Sequence, residues 1–228
     1  AGELILSPEE RATFVSSHPR SEKFLRRLMG SQEVVKGVER HCLWISDLEL
    51  VEALQIPPVA DRIERTRIAR LKMKDKAGKA LAERPHQFRE HIAPTHHAIL
   101  IPSVTSERRP YLPVAMVGAD VIASNLNQVL YDAPEWCVAL IASRLHLVWI
   151  ATVCGKLKSD FRYSNTLGWN TFPVPKFSDD QLAQLSVSAR RILKTRYQHY
   201  PKTIADLYDP DKMPNDLRQA HRDNDDLL

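Results

Sequence analysis

One group of polar side chains that could do chemistry is the loop Thr105-Ser106-Glu107-Arg108-Arg109. It offers two hydroxyls, one carboxylate and two guanidinium groups within five residues. These groups can donate and accept directed hydrogen bonds and can hold an anion, but they include no pairing of a nucleophile with a base. The loop therefore offers groups for binding.

A second group is a run of positive charge between Arg62 and Lys79. The run contains eight basic residues against two acidic ones, a net charge of +6 that exceeds the +4 of the whole chain. The basic residues are Arg62, Arg65, Arg67, Arg70, Lys72, Lys74, Lys76 and Lys79. Five of them would form one stripe on a continuous helix, and the apolar residues between them do not gather on the opposite face. The run indicates contact with a polyanion, with a solvated helix face as the alternative.

The spacing of glycine, histidine and cysteine excludes the common catalytic motifs. No two of the seven glycines lie within five residues of each other, so neither a GxGxxG turn nor a P-loop can form. His91, His96 and His97 lack the helical spacing and the carboxylate of a zinc enzyme, and the three cysteines form no CxxC pair. The sequence therefore predicts no metal site and no cofactor site in this chain.

Composition predicts the environment of the chain. Of the 228 residues, 32 are Lys or Arg and 28 are Asp or Glu, a balance that suits many cytosolic proteins. The most apolar segment, 138–154, is shorter than the roughly 18 residues of a membrane span and contains Arg144 and His146. The first residues carry no basic region of a secretory signal. We expect a soluble, cytoplasmic protein with reduced cysteines and no membrane partner.

The elements that position these groups alternate between helices and strands. Ser7-Pro8-Glu9-Glu10 and Ser178-Asp179-Asp180-Gln181 are helix starts with a capping serine. Further helices are expected at 19–29 and, as one long apolar helix, at 133–154. A hairpin is expected around Lys36-Gly37. Strands are expected at 98–104, 111–117, 121–124 and 128–131. The mixture predicts an α+β fold in which the long helix is buried.

Several ordered landmarks resemble one family when they are taken together. They are GSQEVVKG (30–37), RHCLW (40–44), IPSVTSERR (101–109), YLP (111–113), VIAS (121–124), VCGKLKSDFRYS (153–164), NTFP (170–173), ADLYDP (205–210) and MP (213–214). In this order and spacing they look like the C-terminal third of the MmeI-like DNA methyltransferases, bacterial restriction–modification proteins. The resemblance runs from about Leu4 to His221.

The resemblance implies a DNA target recognition domain followed by a C-terminal helical segment. In such families a separate Rossmann-like domain binds S-adenosylmethionine and methylates N6 of an adenine that is flipped out of the duplex. The Pro-Pro pair of this chain, Ile56-Pro57-Pro58-Val59, lacks the amide or acid and the aromatic ring of that domain's catalytic motif. The implied partners are therefore double-stranded DNA and an upstream methyltransferase domain of the same parent protein, and that domain is expected to hold the S-adenosylmethionine.

The same resemblance suggests three parts. Residues 1–30 are expected to be a helical linker from the upstream domain, residues 31–176 a mixed-sheet target recognition domain with the long buried helix, and residues 177–228 a small helical C-terminal segment. From Asp209 onward the chain has six acidic and three basic residues, so this tail is expected to stay away from phosphates. The chain itself is expected to carry no catalytic residue.

Roles follow from the resemblance combined with the chemistry of the side chains. Guanidinium, ammonium and carboxylate groups read base edges in the major groove, so two segments are predicted to read bases. The predicted base-reading residues are Lys72, Lys74, Lys76, Lys79, Ser106, Glu107, Arg108 and Arg109. The predicted phosphate contacts are Arg65, Lys156, Lys158 and Arg162. Tyr163 and Asn170 are predicted near the flipped base, with ordinary packing and a turn as the alternative for them. For Glu107 and an arginine, a mere surface pair is the alternative.

The sequence leaves open two functions from different classes. The first is a sequence-specific DNA recognition module of an adenine-N6 methyltransferase. The second is a non-catalytic interaction or regulatory module that docks through its C-terminal helices. Truncation after Lys176 is expected to separate them, since it should spare DNA binding under the first function and abolish activity under the second.

Overall fold

The structure is a computed structural model that describes residues 2–228. Helices account for 49% of the residues and strands for 15%, and the predicted α+β class is confirmed. No helix among the described residues is both long enough and apolar enough to span a bilayer.

The helices of residues 2–228 are α1 (Pro8–Ser17), α2 (Ser31–Lys36), α3 (Leu50–Leu54), α4 (Pro57–Leu71), α5 (Lys76–Ala80), α6 (Trp136–Ile141), α7 (Arg144–Val153), α8 (Asp179–Gln198), α9 (Ile204–Leu207) and α10 (Asn215–Asp225). The strands are β1 (Ile5–Leu6), β2 (Leu25–Met29), β3 (His41–Leu43), β4 (His97–Pro102), β5 (Val104–Thr105), β6 (Ala115–Gly118), β7 (Val121–Ala123), β8 (Asn127–Tyr131), β9 (Lys156–Leu157) and β10 (Asp160–Arg162). Short 3-10 turns occupy Gly2–Leu4, Pro19–Phe24, Asp47–Glu49 and Leu81–Glu83, and a π-helical turn occupies Asn165–Trp169.

The chain falls into two compact units. The first unit contains residues 2–29, 39–93 and 120–122, and the second unit contains residues 30–38, 94–119 and 123–228. Residues 177–228 thus belong to the same unit as residues 123–176.

The first unit is built on a sheet with the strand order β1-β3-β2-β7. β3 runs antiparallel to both of its neighbours, with Cys42 opposite Ile5 and Leu43 opposite Leu25. The apolar residues Val59 and Ile63 of α4 are buried in the core that the sheet contributes to. Helix α4, which carries the first half of the basic run, is therefore fixed by its buried face.

The second unit is built on an antiparallel sheet with the order β6-β4-β8, in which Ile99 lies opposite both Met116 and Leu130. The buried side chains of β4 join those of α6 in one apolar core. The C-terminal helices α8 and α10 contribute to the same core, for example through Ile192 and Leu217. The sheet, the central helices and the C-terminal helices therefore form one folding unit.

Capping residues place the two helix starts that the sequence predicts. Ser7 and Ser178 accept hydrogen bonds from the backbone N–H groups of Glu10 and Gln181, at 3.1 and 3.3 Å. The side chains of Glu10 and Gln181 accept hydrogen bonds from the backbone N–H groups of the two serines. Both predictions are confirmed, because these local motifs satisfy the free N–H groups of a helix end by themselves.

Two local predictions in the first forty residues are wrong. The predicted hairpin around Lys36-Gly37 is the helix α2, which ends at Gly37 in the left-handed conformation with φ of 66°. The predicted helix at 19–29 is a 3-10 turn followed by the strand β2. In the second case sheet pairing with β3 outweighs the helix propensity of the segment.

The apolar segment predicted as one long helix is divided into α6 and α7. The break lies at Ala142-Ser143, where Ser143 has an extended backbone with ψ of 157°. Ser143 Oγ accepts a hydrogen bond from the N–H of His146 at 3.1 Å and so begins a new helix. The break leaves the N–H of Arg144 free for a partner outside the helix.

The basic run is not a continuous helix either. α4 ends at Leu71, and α5 begins at Lys76 after Asp75, whose side chain accepts hydrogen bonds from the N–H groups of Ala77 and Gly78. The expected stripe of five basic residues is therefore interrupted at residues 72–75.

Arg70 shows why composition alone overstates the charge that this run presents. Its side chain is buried, with 2% of the residue exposed. The guanidinium donates hydrogen bonds to the carbonyl oxygens of Leu81, Arg84 and Gln87, at 2.8, 2.8 and 2.6 Å. Burial lowers the pKa of this arginine from its usual value. Arg70 therefore organises the segment after α5.

We predict that Arg70→Met destabilises the first unit by about 2–4 kcal/mol, because three buried carbonyl oxygens lose a charged donor. Urea denaturation measures the change. Arg67→Met is the matched control, since Arg67 lies on the same helix but is exposed and contacts only Glu64. Equal stabilities for the two variants would contradict the structural role of Arg70.

Candidate functional site

The four lysines of the basic run differ from its arginines. Arg62 contacts Glu10, Arg65 contacts Glu3 and Asp61, and Arg67 contacts Glu64. Lys72, Lys74, Lys76 and Lys79 are exposed, and none of them forms an ion pair with any described residue. The unneutralised positive charge of this run therefore lies in the segment 72–79.

The predicted phosphate contact Arg65 has acidic neighbours. Its guanidinium lies 3.2 Å from a carboxylate oxygen of Glu3 and 2.9 Å from one of Asp61. About half of the side chain is exposed, so these are surface pairs of small energy. A phosphate contact by Arg65 stays a prediction.

A small sheet in the second unit brings together two of the predicted residue groups. Its strand order is β5-β10-β9, and the loop Ser106–Arg109 follows β5 directly. Lys156 lies on β9, Lys158 lies in the turn between β9 and β10, and Arg162 lies at the end of β10. All three are exposed. The residues predicted to read bases and those predicted to contact phosphates are therefore neighbours in this unit.

The turn at Lys158 has an unusual backbone. Its φ is 58°, in the left-handed region, which allows a tight connection between β9 and β10. No described residue lies within ion-pair distance of its ammonium group.

Each charged residue of the predicted reading loop has a polar partner in the second unit. Glu107 lies 3.4 Å from Lys156 Nζ, and Arg108 lies 3.2 Å from Asp211. Arg109 donates a hydrogen bond to Thr105 Oγ1 at 2.9 Å, and burial lowers its pKa. The alternative to base reading, a surface pair between Glu107 and an arginine, does not occur, because the partner of Glu107 is Lys156.

The ion pairs of Glu107 and Arg108 are exposed to solvent, and such pairs stabilise a protein by little free energy. A ligand can therefore replace either partner at a small cost in free energy. Arg109 is half-buried and its hydrogen bond to Thr105 fixes the direction of the guanidinium. Ser106 is half-buried, and its Oγ accepts a long hydrogen bond of 3.4 Å from the N–H of Arg108.

The loop borders a shallow cleft of about 350 Å³ that sequence reasoning missed as a site. Arg108, Arg109 and Arg144 line the cleft together with apolar side chains that include Leu147 and Phe161. Arg144 has no acidic partner for its guanidinium among the described residues. One feature of the sequence could have indicated this cleft, since Arg144 is the one charged residue of the apolar segment 138–154.

Tyr163 and Asn170 have different surroundings. Only 3% of Tyr163 is exposed, and its Oη lies 3.0 Å from Nε2 of the buried His146. Burial lowers the pKa of His146 to about 4, so the imidazole is neutral at physiological pH. The structure favours the packing alternative for Tyr163.

Asn170 is exposed at the end of the π-helical turn, and its role near a flipped base stays a prediction.

Residues 2–228 contain no group of three or more His, Cys, Asp or Glu side chains that could hold a metal ion. The geometry instead offers exposed lysines on one unit and a polar loop beside basic strands on the other. Exposed cations without acidic partners, beside a polar loop, are typical of the class of modules that bind polyanions.

The family follows from comparison with known proteins. The family model described as the MmeI target recognition domain matches residues 1–176, and the one described as the MmeI C-terminal domain matches residues 177–227. The chain therefore belongs to the MmeI target recognition domain family and continues into the MmeI C-terminal domain, and the resemblance of its landmark segments is confirmed.

Two relatives match along the entire chain. The DNA methyltransferase A of Bacillus subtilis (strain 168) is 34% identical over 227 residues, which are 100% of this chain and 26% of that protein. The solved structure of the Type IIL restriction-modification enzyme MmeI in complex with DNA superposes with a TM-score of 0.95 at 33% identity, and the match covers 100% of this chain and 30% of that one. The chain thus spans between a quarter and a third of the length of these relatives.

Proposed function

We propose that this chain is the sequence-specific double-stranded DNA recognition module of a bacterial adenine-N6 DNA methyltransferase of the restriction–modification type. The observation that carries the proposal is the similarity, along the whole chain and at a TM-score of 0.95, to a structure of MmeI in complex with DNA. The exposed lysines at 72–79 and the polar loop at 106–109 provide the chemistry for such binding.

In the proposed mechanism the two kinds of contact have different tasks. Lys156, Lys158 and Arg162 neutralise phosphates and so fix the register of the small sheet on the duplex. Glu107 and the neighbouring arginines then face base edges, where a carboxylate accepts from a cytosine amino group and a guanidinium pairs with guanine. The DNA replaces the Lys156 and Asp211 partners that Glu107 and Arg108 have in the free chain.

The remaining parts of the reaction belong to the parent protein. We propose that an upstream methyltransferase domain binds S-adenosylmethionine and transfers its methyl group, while this chain selects the site on the DNA. In this proposal residues 1–30 connect to that domain, residues 31–176 recognise the target and residues 177–228 form the C-terminal segment. The protein would act in the bacterial cytoplasm, where its DNA is.

Duplex binding at several salt concentrations tests the proposed function. Each phosphate that the protein neutralises releases condensed counterions, so the logarithm of the binding constant should fall linearly with the logarithm of salt concentration. If the four predicted phosphate contacts Arg65, Lys156, Lys158 and Arg162 each neutralise one phosphate, the slope should be about −3 to −4. Absence of duplex binding by the 228-residue chain even at low salt would contradict the proposal.

We predict that Glu107→Gln changes the preferred base at one position, because a glutamine amide pairs best with adenine whereas a carboxylate accepts from cytosine. Arg109→Gln should likewise shift the preference away from guanine at one position. Competition between duplexes that differ in single base pairs should reveal about 1–3 kcal/mol of altered discrimination.

Lys158→Gln is the matched control, because Lys158 is exposed on the same small sheet and has no ion-pair partner among the described residues. It should weaken binding to all duplexes equally. If neither variant changes the base preference, Glu107 and Arg109 do not read bases, and a uniform loss of affinity in the Arg109 variant would assign that arginine to a phosphate.

A further inference from the structure

Asp225, the last residue of α10, joins two elements that are far apart in sequence. One carboxylate oxygen accepts a hydrogen bond from Tyr111 Oη at 2.9 Å. The other accepts a hydrogen bond from the backbone N–H of Arg144 at 2.8 Å, at the first turn of α7. One side chain of the C-terminal segment therefore holds both elements.

These two elements are the walls of the cleft beside the predicted reading loop. Residues 107–110 line one part of the cleft and Tyr111 follows them in the chain, while Arg144, Leu147 and Val148 of α7 line another part. The Asp225 carboxylate therefore links the two segments that border the cleft.

A second residue of α10 holds the same two walls. The imidazole of His221 stacks on the ring of Tyr111 with 4.1 Å between centroids and an interplanar angle of 18°. Its Nδ1 lies 3.0 Å from the carbonyl oxygen of Ala142, directly before α7. His221 is fully buried and also lies 2.8 Å from Tyr208 Oη. The face of α10 that carries Asp225 is thus anchored in the core by His221.

We infer that Asp225 is a positioning residue for sequence discrimination, which sets the reading loop against α7 so that Glu107 and Arg109 meet base edges at a fixed angle. The inference rests on the proposed function and deepens it. It also gives the C-terminal segment a task in specificity, although that segment is acidic and carries no predicted DNA contact.

The geometry explains why such a carboxylate is needed. Contacts to base edges distinguish one base pair from another only when the donors and acceptors are held in position. Long side chains on an unsupported loop can move to suit several base pairs and then distinguish them poorly. Glu107 and Arg108 are exposed, so their own surroundings fix them weakly. Strand β5 fixes the start of the loop through the buried Thr105, and the first buried residue after the loop is Tyr111, whose ring is bound by Asp225 and His221.

The test uses two variants that remove the same contact from opposite sides. Asp225→Ala removes both acceptor oxygens, whereas an asparagine could still donate to the Tyr111 hydroxyl, and Tyr111→Phe removes the hydroxyl while the ring keeps its stacking on His221. Asp223→Ala is the matched control on the same helix, because Asp223 contacts Arg191 and Gln219 and faces no residue of the loop.

The readout is the ratio of binding constants between a selected duplex and its variants at the base pair that the Glu107 or Arg109 substitutions affect. Tyr111→Phe should lower this ratio about fivefold, the effect of one lost hydrogen bond, and Asp225→Ala should lower it at least as much, while the salt dependence and the binding to unrelated duplexes stay unchanged. The double variant should be no worse than Asp225→Ala alone, because that substitution already removes the hydrogen bond to Tyr111.

Unchanged discrimination in both variants would overturn the inference, even if their melting temperatures fall, because the contact would then only stabilise the fold. A wild-type chain that shows no preference among duplexes would instead overturn the proposed function. The two failures are therefore distinguishable in one series of measurements.

Discussion

A chain that ends at Lys176 is expected to lose the fold of its second unit. The removed helices contribute large buried side chains to the core of that unit, namely Leu185, Ile192, Leu207, Tyr208, Met213 and Leu217. Each is worth about 1.5–3 kcal/mol when it is fully buried, so the six together contribute about 9–18 kcal/mol, as much as the roughly 5–15 kcal/mol by which a typical domain is stable.

Polar contacts add to this loss. Arg196 donates a hydrogen bond to the carbonyl oxygen of Val114 at 2.6 Å, and Asn224 donates one to that of Ala139 at 2.9 Å. Truncation would leave both buried acceptors without a partner, which costs free energy beyond the lost apolar burial.

Thermal unfolding followed by circular dichroism, with limited proteolysis of the second unit, measures this prediction. Addition of a separate 177–228 peptide is the control, since it should restore protection if the loss arises from the missing helices. A truncated chain that melts cooperatively at the temperature of the intact chain would contradict the prediction.

This result would also correct the experiment that the sequence suggests for separating the two functions. Truncation after Lys176 cannot spare DNA binding selectively, because the segment completes the core of the unit that carries the reading loop. A docking role for the C-terminal helices would have to use their outer face, since their inner face is buried in the chain itself.

Replacement of all four lysines at 72–79 by glutamine is expected to weaken duplex binding about a thousandfold at about 0.1 M salt. The reason is that a lysine that reads a base edge contributes about 1 kcal/mol or more, so four lost contacts amount to about 4 kcal/mol, a factor of about a thousand. Any of the four that neutralises a phosphate instead also contributes about 0.9 to the slope of the logarithm of affinity against that of salt concentration. Titration of a labelled duplex at several salt concentrations measures both quantities.

The matched control replaces the exposed lysines Lys36, Lys194, Lys202 and Lys212, which lie on the second unit outside the small sheet. It changes the net charge by the same amount and should change affinity far less. Equal losses in the two variants would mean that only net charge matters, and would contradict a defined contact at 72–79.

The same experiment separates base reading from phosphate contact for these lysines. If they read bases, as we predict, the preferred sequence should change along with the affinity. A uniform loss over all sequences would assign them to the phosphates.

Local motifs in the sequence predict the parts of the fold that depend on neighbouring residues. The capped starts of α1 and α8 follow from a serine and an acid or amide three residues later, and the apolar residues of β4 predict its strand. Ser143 is also a local signal, because a serine can cap a new helix at this position. The apolar residues on both sides of it favour one continuous helix instead, and for this reason the break is not predicted.

Contacts between distant residues could not be predicted in this way. Arg70 looks like part of a basic face, yet its guanidinium is used by carbonyl oxygens 11 to 17 residues further along the chain. The division of the basic run into paired arginines and free lysines depends on residues such as Glu3 and Glu10, which lie more than fifty residues away.

The candidate site shows the same distinction. The sequence alone indicates the loop at 106–109 and the basic strands near Lys156, because each contains several charged side chains within a few residues. Their proximity follows from the pairing of Phe161 with Thr105 in the small sheet, and the link from Asp225 to Tyr111 spans 114 residues. Only the folded chain brings these groups together.

Selection from a pool of duplexes with a randomised central region tests the central claim most directly. The 228-residue chain is incubated with the pool at a salt concentration where binding is partial, and bound duplexes are recovered, amplified and sequenced. We predict enrichment of one defined set of base pairs, and a changed base at one of these positions when Glu107→Gln is used. Salt-dependent binding that enriches no sequence would contradict the claim, because the chain would then bind the DNA backbone without reading the bases.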